Sequence, residues 1–95
     1  MTFEELQEAL RIFNLPMRAS WKEIRSRHRL LVKRHHPDHG GEDQEQIRRI
    51  NEAYRILSEY CSGYRFVFSR EEFYEQNPEE RLRQQFFSDA LWRGE

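Results

Sequence analysis

Cys61 is the only cysteine in the chain, so no disulfide can staple the fold. Its position in line with an apolar helical stripe makes it a small core residue rather than a reactive thiol, and a reducing compartment is expected. No apolar run approaches the length of a membrane span, and the start, Met1-Thr2-Phe3-Glu4-Glu5, is acidic where a secretory signal would be basic. These features predict a soluble, cytoplasmic protein. Internal repeats and low-complexity segments are missing. So is any nucleophile-base pairing, phosphate loop or separated carboxylate pair standing out from the background of helical glutamates, so the reading is not an enzyme and no cofactor is implied. Ninety-five residues allow one small domain with a core of modest net stability.

What is present is helical. With 37% hydrophobic and 35% charged residues, the composition suits helices with long solvated faces rather than a disordered chain. Thr2 and Glu5 form a Ser/Thr-x-x-Glu capping box, and Phe3, Leu6, Leu10 and Phe13 follow on one side, which predicts a first helix ended by Asn14-Leu15-Pro16. Ser20 and Glu23 repeat the box. Trp21, Ile24, His28, Leu31 and His35 then recur at steps of three and four, as do Ile47, Ile50, Tyr54, Leu57 and Cys61 further on. Two such stripes joined by a short Gly-containing loop predict an antiparallel hairpin of helices over about 20–35 and 43–60, since neither can bury its apolar side alone. Asp43 with Gln46 is the expected cap of the second, and Gly63 its expected stop.

Charge is segregated along this hairpin. Residues 18–36 carry seven Lys/Arg and one Asp/Glu, a local charge of +6, against −7 for the remainder and a net charge of −1. On a helical wheel Lys22, Arg25, Arg29 and Lys33 share an arc well away from the apolar stripe, and extended one turn the arc reaches His36. A solvated face usually interleaves both signs to gain i,i+4 pairs. This one does not, so an acidic partner surface accounts for it better.

The residues Leu10-Arg11-Ile12-Phe13-Asn14-Leu15, Trp21-Lys22-Glu23-Ile24-Arg25, Arg29-Leu30-Leu31, His36-Pro37-Asp38 and Ile50-Asn51-Glu52-Ala53-Tyr54-Arg55-Ile56-Leu57-Ser58 stand in one order and spacing over about residues 5 to 60. In this the chain resembles the J-domain of DnaJ-type co-chaperones. The resemblance implies an all-α J-domain fold and a function exerted on a partner: docking on a DnaK-type seventy-kilodalton heat-shock chaperone and stimulation of its ATP hydrolysis. It implies that Asp38 offers a carboxylate to a cationic group of the chaperone, that Pro37 fixes the turn and His36 supports the contact, with Lys22, Arg25, Arg29 and Lys33 guiding the approach. Family members usually place Tyr at His28 and a large aromatic at His35, so both are read as hydrogen-bonded interior histidines, with a loosening of the hairpin at mildly acidic pH as the other reading. The Gly/Phe-rich linker and Cys-x-x-Cys zinc modules of full-length DnaJ proteins are missing from these residues.

The J-domain is expected over 1–62, with 63–95 as a helical extension packed on it. Arg65-Phe66-Val67-Phe68 alternates as a short strand would. Ser69 and Glu72 give a third capping box for a short helix, and Asn77-Pro78 reads as N-cap and first residue of a last one. Phe66, Phe68, Phe73, Phe86 and Trp92 are expected to enlarge the core, the other reading being a patch for a client or second partner. Two rivals to the co-chaperone reading remain. One is metal binding by His35, Asp38, His36 and His39, which Pro37 disfavours by breaking the helix that would align His35 with His39. The other is a J-like assembly or nucleic-acid-binding module using the basic helix, which a sequence pI near 6.4 disfavours.

Overall fold

The computed structural model describes residues 1–36 and 41–92, without the side chains of 41–43 and 90–92. The expected all-α architecture is observed as α1 (Phe3–Phe13), α2 (Trp21–Arg34), α3 (Gly41–Ser62), α4 (Arg70–Gln76) and α5 (Pro78–Trp92), with no strand among the described residues. The chain divides into two compact units, Met1–Tyr64 and Arg65–Glu95.

In the first unit both capping boxes form. Thr2 Oγ1 accepts from the Glu5 N–H at 3.1 Å while the Thr2 N–H donates to Glu5 Oε2, and Ser20 and Glu23 repeat the exchange at the start of α2. The end of α1 is made differently from expectation. Asn14 takes the left-handed conformation at φ 51°, ψ 47°, and the Leu15 N–H returns to the Leu10 carbonyl at 3.0 Å, so the helix is closed before Pro16 exerts any restriction. Asparagine tolerates this conformation because its short polar side chain can bond locally. Gly63 follows α3, yet it is not left-handed, and a Cβ there would meet only the Glu59 carbonyl at 3.5 Å, an ordinary contact. Its glycine character is therefore not what stops α3. That helix also begins at Gly41, two residues before the expected cap at Asp43, whose side chain lies outside the described residues.

The core consists of Ala9 and Phe13 from α1, Ile24 from α2, and Ile50, Ala53, Ile56 and Leu57 from α3, with Phe13 fully enclosed at 0% exposure. Leu6, Leu10, Leu31, Tyr54 and Cys61 pack against it, partly buried. Phe3, expected in the α1 stripe, is exposed. The buried pair on α1 is instead Ala9 and Phe13, one turn apart, and Ala9 shares the α1–α3 groove with Ala53 and Ile56. A single stripe on α3 omits those last two because α3 serves two neighbours, and its apolar surface is correspondingly wider. Between α2 and α3 the contacts run antiparallel: Trp21 meets Tyr54, and one helical stretch later His28 reaches back to Asn51.

The second unit has no buried residue among the described side chains of 65–89. Residues 65–68 form neither helix nor strand, and Phe68 is 95% exposed. Ser69 Oγ accepts from the Glu72 N–H at 3.1 Å, but Glu72 Oε1 accepts from Gln76 Nε2 at 2.9 Å, a bond made along the helix. Asn77 closes α4, its N–H and its Nδ2 both donating to the Phe73 carbonyl at 2.9 Å. Its side chain is thus turned back on α4 rather than forward as the cap of α5. Of the five aromatics expected to enlarge the core, Phe66, Phe68, Phe73 and Phe86 are each more than half exposed, and the side chain of Trp92 lies outside the described residues. Two short helices offer too little surface to enclose such rings between themselves.

Candidate functional site

The rotation of α2 about its own axis decides where its charges point, and an aromatic stack sets that rotation. The His28 imidazole lies over Tyr54 with centroids 3.9 Å apart, Trp21 flanks Tyr54 at 5.8 Å, and Phe13 lies near-parallel to both His28 and Tyr54 at 6.2 and 6.4 Å. Nε2–H of His28 donates to Asn51 Oδ1 at 3.1 Å. His28 is thus the hydrogen-bonded, half-buried histidine expected of it. His35 is also half-buried and caps α2, its N–H donating to the Leu31 carbonyl at 3.1 Å.

With one face of α2 so held, Lys22, Arg25, Arg29 and Lys33 are all exposed. Among the described residues none of these four takes part in an ion pair or a side-chain hydrogen bond. The arginines of other helices behave differently. Arg11 pairs with Glu8, Arg48 and Arg49 with Glu45, Arg55 with Glu52 and Glu59, and Arg83 with Glu80, each three or four residues away. Arg55 Nη2 stands 2.7 Å from Glu52 Oε1, and this hydrogen-bonded guanidinium holds the Glu52 carboxyl below its ordinary range. The difference is one of local sequence. In α2 the one carboxylate is Glu23, and it is engaged by the Ser20 N–H in the capping box. It forms no ion pair with the four cations, and α2 holds no second carboxylate to do so.

The arc does not run on into His36. Helix α2 ends at Arg34, and His35 leaves the helical region at φ −113°, ψ 38°, so a wheel projected one turn further no longer applies. His36 itself is exposed. Pro37 and Asp38 lie outside the described residues, as does His39. The set His35, His36, His39 and Asp38 is therefore only half within view, and among the described residues no group of three or more His, Cys, Asp or Glu could hold a metal ion. Among the described residues, too, no helix is long and apolar enough to cross a membrane. Reading the sequence alone did not single out Asn51 for a role. It had a signal in its spacing three residues before Tyr54.

A helical hairpin braced by a third helix through an aromatic stack, with an unneutralised basic second helix, defines the class of this domain. Comparison with known proteins gives the family. The DnaJ domain model matches residues 8–61, more than half of the chain. The chain is 42% identical over 50 residues to Chaperone protein DnaJ 2 of Aquifex aeolicus (strain VF5), covering 50% of this chain and 13% of that protein. It is 37% identical over 54 residues to Chaperone protein DnaJ of Mycoplasmopsis pulmonis (strain UAB CTIP), covering 55% and 14%. No solved structure matches. The chain belongs to the DnaJ domain family, and what it shares with these relatives spans about a seventh of their length.

Proposed function

We propose that the chain is a co-chaperone that docks on a DnaK-type seventy-kilodalton heat-shock chaperone and stimulates its ATP hydrolysis. The observation that carries this reading is the set of four exposed cations on α2 without an anionic partner among the described residues. Unpaired like charges along one helix are mildly destabilising, and an acidic surface on a partner relieves them. Such an approach is fast, weak and salt-sensitive, because exposed charges act over about one Debye length, roughly 8 Å at physiological ionic strength.

In this reading, Asp38 supplies the directional contact. A carboxylate accepting from a guanidinium is among the stronger hydrogen bonds, and Pro37 limits the entropy lost when the loop is ordered. His36 supports that contact. The hydrolytic groups belong to the chaperone; the contact favours its fast-hydrolysing conformation, so linkage requires that nucleotide state alter affinity for this chain in return. We place both proteins in the cytoplasm. The exposed Phe68, Leu82, Phe86 and Phe87 support a further contact of residues 63–95 with a client or second protein.

Single-turnover ATP hydrolysis by a DnaK-type chaperone tests the reading. The native chain should accelerate it and Asp38→Asn should not. No acceleration by a chain that circular dichroism shows to be folded would end it, and would turn attention to a J-like module binding nucleic acid through the same cations.

A further inference from the structure

Beside the basic arc lies surface that charge does not explain. Leu30 is on α2 yet 44% exposed. By helical geometry it sits about 60° round the helix from Lys33, at the edge of the arc. Leu15 and Pro16, from the connection between α1 and α2, line one shallow cleft with Leu30, and Met17 next to them is 97% exposed. One exposed leucine is ordinary on a protein surface. Here the apolar side chains gather at a concavity whose rim includes the cations Lys22 and Arg27. Glu23 also lines the cleft, so its charged lining is two cations against one carboxylate, a positive balance.

We propose that this cleft is an apolar anchor within the docking face, seating one aliphatic or aromatic side chain of the chaperone that is flanked there by carboxylates. The proposal rests on the co-chaperone reading and deepens it. Lys22 belongs both to the arc and to the rim of the cleft, so the two surfaces are continuous and one acidic segment meets both. Long cationic side chains steer an encounter but leave its register loose, whereas a side chain seated in a pocket fixes position and slows dissociation. The arc supplies the rate of approach and Leu30 the register.

The test is the affinity of the full chain for a DnaK-type chaperone in its ATP state, measured across a series of salt concentrations for the native protein, Leu30→Ala, Leu30→Met and Arg29→Gln. Alanine keeps helix propensity at an exposed position, and a melting temperature for each variant confirms that it is folded. Leu30→Ala should weaken binding by about five- to tenfold at every salt concentration, with the salt dependence unchanged, and Leu30→Met should restore it. Arg29→Gln should flatten the salt dependence. Binding of Leu30→Ala within about twofold of native, with Arg29→Gln still weakened, overturns the anchor and leaves the co-chaperone reading standing. If the folded native chain does not bind, the co-chaperone reading falls, and the anchor with it.

Discussion

The imidazole of His28 lies 4° from parallel with the ring of Tyr54, centroids 3.9 Å apart, while the edge of the same imidazole bonds Asn51 at 3.1 Å. One side chain of α2 is thereby fixed to α3 both by its face and by its edge. Because the four cations project from the other side of α2, this pairing orients them. Replacing His28 with alanine removes both contacts and should cost about 2 kcal/mol, seen as a lowered urea midpoint. His28→Phe keeps a ring over Tyr54 and leaves the exposed Asn51 to water, so its cost should stay below about 1 kcal/mol.

Phe13 is the fully enclosed side chain of the core and touches the stack from α1. Phe13→Ala should cost about 3–5 kcal/mol, a large part of the stability of so small a domain, and circular dichroism at 37 °C should show it largely unfolded.

Both complete capping boxes lie at exposed helix starts, so their loss should be graded rather than fatal. Ser20→Ala should lower stability by about 1 kcal/mol, read as a fall of roughly 4–8 °C in Tm.

Glu8 and Glu52 are each held below the ordinary carboxylate pKa of 4.5, first by the hydrogen bond from Arg11 or Arg55. A carboxyl with a depressed folded-state pKa contributes stability that is present above its unfolded value and lost as the pH falls through its folded value. The melting temperature should therefore decline below about pH 4.5, less steeply in Glu52→Gln. Both pairs are fully exposed, so 1 M salt should flatten much of the decline.

Burial pushes the Cys61 thiol above its ordinary pKa of 9.0. At pH 8 a thiol reagent should react more slowly with the folded chain than with the chain in denaturant, where the thiolate fraction and access are both greater. Equal rates would show that Cys61 does not pack against the core.

The elements legible in the sequence were those written as local pattern. The capping residues Thr2 and Ser20 mark their helices to the residue, and the stripe through Ile24, Ile50 and Leu57 finds the core, because both signals lie within one or two helical turns. Ala53 and Ile56 escaped a one-stripe reading because the need for them arises from α1, forty residues away. The end of α1 was assigned to Pro16, the stronger breaker, although Asn14 acts first by adopting a backbone conformation that propensity alone does not announce. The basic arc and its lack of i,i+4 partners were both visible by counting, since α2 holds one carboxylate among its cations. The aromatic residues after Tyr64 were expected inside because small domains lack core. Composition does not say whether a chain has enough helix to enclose them.

Among the described residues, α2 places only Ile24 fully in the core, whereas α1 places two there and α3 four. Of these three helices the one that presents the cations is consequently the one that opens at the lowest free energy, and its amides should exchange before those of α1 and α3. A partner that grips the closed form of α2 then acts as a clamp by mass action, deepening the folded well in proportion to its own concentration.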